Sequence, residues 1–179
     1  MDTYDDKDTL RQIALGNEEA LRRLVQKHGR AVWRTAFNLL GDSAAADDVE
    51  QEVFIRVWTK ARRFDGRHAP STWLYSMTCN ICYDELRRRR RHRTYLSVLE
   101  KEPVVASDVL SAEEAHRMLQ RAVDTLPRKQ RAVYVLRELE GLSNADTAAA
   151  LGMSADQTKA NYHAARQTVM NKLTDYGIQ

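Results

Sequence analysis

The chain has 179 residues, with 28 Lys/Arg against 25 Asp/Glu and only 7 glycines, 3 prolines and 2 cysteines. That length admits one domain or two small ones with real cores, and a net charge of +3 by itself excludes neither a nucleic-acid nor a protein partner. No apolar run approaches the ~20 residues that a membrane span needs, and the acidic start Met1-Asp2-Thr3-Tyr4-Asp5-Asp6 is unlike a leader, so the protein reads as cytoplasmic, without membrane insertion.

Scarce glycine and proline and the lack of any alternating strand pattern predict an all-α chain. A short helix is expected near Leu10–Leu15. Leu21, Leu24, Val25, Val32, Trp33, Ala36, Phe37 and Leu40 then recur at helical spacing until Gly41-Asp42 stops them. The next helix carries the acidic, amphipathic run Asp47-Asp48-Val49-Glu50-Gln51-Glu52-Val53-Phe54-Ile55-Arg56-Val57-Trp58. Val49, Val53 and Val57, with Phe54 and Trp58 alongside, form its apolar face. Asp47, Asp48, Glu50 and Glu52 are expected in the first turns, where they oppose the positive end of the helix dipole. That leaves Gln51, Phe54, Arg56 and Trp58 unexplained, and the segment suits a basic protein partner.

The loop Phe64-Asp65-Gly66-Arg67-His68-Ala69-Pro70 leads into a third helix, with Ser71 as its expected N-cap and Leu74, Met77 and Ile81 as its stripe. Cys79 and Cys82 form a CxxC within this helix. Without a strand-to-helix turn or a second ligand pair they read as small buried or half-buried side chains rather than a redox or zinc site, and no cofactor is expected. The helix ends in Arg87–Arg91, and six of the 28 basic residues fall within Arg87–Arg93. Five successive arginines wrap right round a helix, so Arg87 and Arg91, flanked by Arg88 and Arg90, are the expected phosphate contacts. A solvated helix end is the plainer alternative. Trp73 and Tyr75, near the loop tipped by Arg67 and His68, could stack unpaired bases, although core packing is the safer reading of Trp73. The Asn80 amide suits a base edge and a surface position equally.

From 94 to 112 the helical period fades, Pro103 interrupts, and three acids outnumber one lysine, as in a flexible linker. Periodicity returns with Met118, Leu119, Val123 and Leu126, then Pro127, then Val133, Leu136 and Leu139. Two capping boxes, Ser143-Asn144-Ala145-Asp146 and Ser154-Ala155-Asp156-Gln157, flank Leu151-Gly152-Met153, which is the layout of a helix-turn-helix. The second helix should bury Thr158, Tyr162, Ala165, Val169 and Leu173. It should expose Asp156, Gln157, Lys159, Ala160, His163, Ala164 and Arg166, among which Gln157 can read adenine and Lys159, His163 and Arg166 suit phosphate or guanine. A helical hairpin with a solvated face stays open beside the DNA-binding reading.

Taken together these residues resemble the extracytoplasmic-function (ECF, group IV) sigma factors of bacterial RNA polymerase. The segment Asp47 to Trp58 resembles region 2.2. Phe64, Ser71-Thr72-Trp73-Leu74, Asn80, Asp84 and Arg87 resemble regions 2.3 and 2.4. Leu126-Pro127-Arg128-Lys129-Gln130-Arg131, followed by Leu136-Arg137-Glu138-Leu139-Glu140-Gly141-Leu142-Ser143, resembles region 4.1 leading into 4.2.

The resemblance implies two small helical domains, a region 2 bundle over 1–93 and a region 4 helix-turn-helix domain over 113–179, joined by the 94–112 linker. It implies that Asp47, Asp48, Glu50, Gln51, Glu52, Phe54, Arg56 and Trp58 bind the clamp helices of the largest polymerase subunit, while the second domain meets the flap of the second-largest subunit. Arg67, His68, Ser71, Trp73, Asn80, Arg87, Arg88, Arg90 and Arg91 would contact the −10 element. A base flipped from the opened duplex would sit at the loop 65–70, and holding it there costs unstacking energy. Arg128, Lys129, Gln157, Lys159, Ala160, His163 and Arg166 would contact the −35 element. An anti-sigma factor is the further implied partner. The chain departs from the family at Thr147, Ala150 and Thr158, where larger apolar residues are usual, and at Asn161 and Ala164, where a basic residue is common. Weak −35 binding by the second domain alone is therefore expected. A regulator that never touches polymerase and a sigma-like interaction module are the alternatives. No nucleophile–base set, paired acids or phosphate loop suggests an enzyme.

Overall fold

Caps written into the sequence set most of the helix ends. The computed structural model describes residues 5–93 and 112–177, and the described residues form α-helices with two short irregular turns and no strand. The linker expected over 94–112 lies, up to residue 111, outside the described residues. Helix α1 (Asp6–Ala14) starts at Asp5, and α2 (Glu18–Leu40) starts at Asn17, whose side chain accepts from the Ala20 N–H. Gly41 ends α2 in the left-handed region at φ +66°, which glycine adopts without steric cost.

Helix α3 (Ser43–Lys60) begins earlier than the acidic run suggests. Its N-cap is Asp42, which accepts from the Ala45 N–H at 3.0 Å, and its first turn holds no acid. Asp47, Asp48, Glu50 and Glu52 therefore lie beyond the turn over which the dipole acts, so the dipole does not explain them. A 3-10 turn, Ala61–Arg63, closes α3. Helix α4 (Pro70–Arg93) also starts ahead of its expected cap. Its first backbone bond runs from the Trp73 N–H to the Ala69 carbonyl, which puts Pro70 at the first helical position, where its missing N–H costs nothing, and Ser71 inside the helix.

The second half comprises α5 (Ala112–Asp124), α6 (Arg128–Tyr134), a π turn (Val135–Leu139), α7 (Asn144–Leu151) and α8 (Ala155–Asp175). Ser143 and Ser154 cap α7 and α8 as expected. Ser154 and Gln157 complete a reciprocal capping box, and Gly152 makes the turn between the helices at φ +60°.

Val49, Val53 and Val57 of α3 pack with Leu24, Val32 and Leu39 of α2 and Leu74 of α4 in the first core. Full burial of each such side chain contributes about 1.5–3 kcal/mol. Cys79 and Cys82 belong to this core as free thiols, and burial pushes the Cys82 thiol up to about 12. In the second half Val123, Leu126, Val133, Leu136, Ala165 and Val169 are buried. The two cores are continuous. Periodicity divides the chain into two helical domains, and the structure packs the two halves against each other. The face of α4 that makes the contact is half polar, so no hydrophobic stripe marks it in the sequence.

Candidate functional site

Helix α3 presents two different flanks. On one, Gln51, Phe54, Ile55 and Trp58 line an open groove with Leu21 and Val25 of α2, a spacing that follows directly from the helical period. Ile55 is 57% exposed and Trp58 36%, which is unusual for residues of that size next to a core. Phe54 is buried and forms the floor. The sequence reading selected Gln51, Phe54 and Trp58 but missed Ile55, Leu21 and Val25. Their recurrence at i and i+4 in α2, opposite 51, 54, 55 and 58 in α3, was the available signal.

The other flank is ionic. Asp48 and Glu52 face Arg88 and Arg89 of α4 across a groove that also holds Asp42, Asp84 and Glu85. Arg56 donates to Glu52 at 2.7 Å within α3. The remaining acids are engaged elsewhere. The Trp33 indole N–H donates to Asp47 at 2.6 Å. Glu50 lies over Gly29, so close that a β-carbon there would collide with its carboxylate, and burial beside Asp47 raises its pKa. The acidic run is thus not one acidic face.

The arginine run is largely paired within its own fold. Arg87 bonds Asp84, and Arg88 donates to Glu85 at 2.8 Å. Arg89, which the sequence reading passed over, is the most buried of the five; it bridges Glu85 at 2.8 Å and Asp42 at 2.9 Å. These hydrogen bonds from Arg88 and Arg89 hold the Glu85 carboxyl below its ordinary range. The Ala45 N–H, with Arg89 behind it, does the same for Asp42. Arg90 and Arg91 are exposed. Asn80, Arg87 and Arg91 share one exposed stripe of α4.

The loop before α4 is built by short-range bonds. Asp65 accepts from the Arg67 N–H at 3.0 Å, Gly66 turns at φ +72°, and Lys7 donates to the Gly66 carbonyl at 3.2 Å. Arg67 and His68 project into solvent. Trp73 is half-buried, its ring tilted against Phe64 at 5.4 Å. Ser71 is half-buried beside it in the first turn.

On α8 the exposed face falls as the spacing predicts, but of the five residues expected to face inward Tyr162 and Leu173 are only half-buried. Thr158, Ala165 and Val169 are buried, and Asp156, Gln157, Lys159, Ala160, His163, Ala164 and Arg166 are all exposed. Gln157 also serves the capping box, and Tyr162 bonds Glu138 under the Arg137 guanidinium. The unusually small core residues are accommodated without lost hydrogen bonds. Thr147 and Thr158 are fully buried, and their hydroxyls donate to the Ser143 and Ser154 carbonyls at 2.8 and 2.9 Å. Ala150 is buried with them. Lys129 is exposed, whereas Arg128 stacks over the Tyr83 ring of α4 at 3.7 Å and so lies against the first half.

Residues 24–92 match Sigma-70 region 2, and residues 116–169 match Sigma-70, region 4. Over 93% of its length the chain is 32% identical to the ECF RNA polymerase sigma factor SigE of Mycolicibacterium smegmatis, covering 67% of that protein. It is 34% identical to the ECF RNA polymerase sigma factor SigM of Mycobacterium tuberculosis, over 90% of this chain and 81% of that one. Among solved structures, CnrH in complex with the cytosolic domain of CnrY is 26% identical, with a TM-score of 0.74 over 95% of this chain and 97% of CnrH.

Proposed function

We propose a division of labour within this chain, which belongs to the extracytoplasmic-function sigma factors of the sigma-70 family. As such a factor it binds core RNA polymerase, recognises the −10 and −35 promoter elements and directs transcription initiation under anti-sigma control. The working domains are 1–93 and 113–179.

Polymerase docks on the apolar flank of α3. Ile55 and Trp58 are its main anchors, supported by Gln51, Phe54 and the α2 residues Leu21 and Val25, and Asp47 sits at the rim. The observation that carries this reading is the exposure of Ile55 and Trp58 in an open groove, where only a partner removes them from water. Asp48, Glu52 and Arg56 shape the ionic flank instead, and Glu50 packs on α2.

The −10 element meets the exposed stripe Asn80, Arg87 and Arg91, with Arg88 and Arg90 beside it. Arg67, His68, Ser71 and Trp73 surround the flipped base at the loop. Arginine pairing with Asp84 and Glu85 does not preclude phosphate contact, because exposed ion pairs are weak and exchange partners readily. The −35 element lies along Gln157, Lys159, Ala160, His163 and Arg166. Lys129 approaches its backbone, and Arg128 joins only when it leaves Tyr83. The clamp helices of the largest subunit and the flap of the second-largest are the polymerase elements this reading assigns to the two domains.

Run-off transcription from a promoter library with added core polymerase tests the whole. Discrete start sites preceded by shared −10 and −35 sequences are expected. Absence of any chain-dependent transcript, with core binding intact, would leave only the interaction-module reading.

A further inference from the structure

The angle between α7 and α8 is set by what lies between them, and the core contributes little there. The buried residues of α7 are Thr147, Ala148 and Ala150, and those of α8 are Thr158, Ala165 and Val169. Such small side chains offer few atoms to interlock. Both threonine hydroxyls are engaged within their own helices, on the Ser143 and Ser154 carbonyls, so neither bonds across.

A polar strap spans the two helices instead. Asn144, the first residue of α7, donates from Nδ2 to the carbonyl of Ala155, the first residue of α8, at 3.0 Å. Arg137 of the π turn donates to Asn144 Oδ1 at 3.4 Å, and its guanidinium carbon lies 4.1 Å from the centre of the Tyr162 ring. The Tyr162 hydroxyl donates in turn to Glu138. Consecutive residues of the π turn thus hold one tyrosine, Arg137 by its face and Glu138 by its hydroxyl. Arginine suits the double task because a planar guanidinium stacks and donates at once, which a lysine ammonium cannot do.

Tyr162 lies amid the residues that face outward on α8. Lys159 stands one turn before it, Arg166 one turn after it, and the His163 ring is tilted against it at 6.0 Å. Clamping this ring fixes the rotation of α8 about its own axis as well as its angle to α7. Base-edge hydrogen bonds carry the sequence information and need that registration, whereas contacts from long side chains to phosphate carry none and tolerate a shift.

We propose that Arg137 is a positioning residue for −35 recognition, holding α8 at its reading angle through Tyr162 and Asn144 without itself touching DNA. The inference rests on the reading above that α8 lies along the −35 element.

The test uses the full chain with core polymerase. One template is recovered from the promoter library, and a second is identical except that its −35 element is scrambled. The ratio of run-off product from the two measures discrimination. Arg137→Ala should lower that ratio by about 5-fold or more, the worth of one lost base contact. Arg137→Lys should lower it equally, since the charge remains and the stack does not. Tyr162→Ala should match them, and it carries the test if Arg137→Ala loses helicity by circular dichroism, because the tyrosine is only half-buried. The salt dependence of binding to the scrambled template should be unchanged in all three. Val169→Ala, a core truncation outside the strap, should lower the melting temperature and keep the ratio.

Full recovery in Arg137→Lys, or a salt slope reduced by about 1, would make Arg137 a phosphate contact and overturn the proposal. A ratio that falls as far in Val169→Ala also overturns it, because discrimination would then only follow stability. A wild type that uses both templates equally removes the −35 reading itself. Discrimination that is present in the wild type and survives every strap variant removes only the strap.

Discussion

The two flanks of α3 differ in what satisfies them. On the α4 side most charged groups have a counterpart in the same chain: Asp42 and Glu85 with Arg89, Glu85 with Arg88, Asp84 with Arg87, Glu52 with Arg56. On the α2 side Ile55 remains mostly open to water and Trp58 partly so. Charge density drew attention to the first flank in the sequence, yet unsatisfied apolar area marks the second as the place for a partner. A residue type that could bind something is weaker evidence than a surface left incomplete.

The double change Ile55→Glu/Trp58→Glu should reduce core polymerase binding by more than 30-fold, equivalent to over ~2 kcal/mol. Both positions are solvent-facing, so the melting temperature should stay within a few degrees of wild type. Fluorescence anisotropy and a thermal scan give both numbers, and binding within 3-fold of wild type would remove α3's apolar flank as the dock.

Asp42→Ala should cost about 1–2 kcal/mol in urea unfolding, since Asp42 both caps α3 and bridges to Arg89. Polymerase affinity should change little. The same flank sets an acid limit. Asp42 and Glu85 are both held below their ordinary values, so the folded chain binds fewer protons there than the unfolded one. Their stabilisation is present above about pH 4 and disappears as pH falls through their folded values. Asp42→Asn should therefore show a shallower loss of stability between about pH 5 and pH 2 than wild type; an identical acid limb would mean that neither the Ala45 N–H nor Arg89 holds the carboxylate ionised.

Arg87→Ala/Arg91→Ala should weaken promoter binding severalfold and lower the slope of log K against log salt by about 1–2. An unchanged slope would assign both arginines to the fold. The smallest effect is expected for Arg88→Ala, whose pairing with Glu85 is on the surface. Its stability should be indistinguishable from wild type by thermal melting, and a clear drop would mean the ionic flank is more cooperative than its exposure suggests.

Much of this was legible in the sequence. The glycine at 41, the serines at 143 and 154 and the buried face of α8 follow from local chemistry, and local chemistry decides them in the structure. The starts of α3 and α4 were misplaced by a few residues because an aspartate at 42 and a proline at 70 compete with equally plausible caps further on. The meeting of the halves was not legible at all. Arg34 bonds Glu140 across 106 positions, and nothing in the periodicity of either segment says which arginine a given glutamate will find. The same holds within the arginine run. Helical spacing showed that the five could not share a face, but only packing against Asp42 selects Arg89 as the inward one.

The way the halves meet has a consequence for how the chain is made. Synthesis delivers the N-terminal half first, and domains generally fold as they emerge. At that stage Gln120 and Arg131, which donate to the Asn38 and Leu39 carbonyls, do not yet exist, so those carbonyls face water. Glu140 is later still. A nascent chain therefore displays its α3 groove, whose lining comes only from α2 and α3, before the second half has been made.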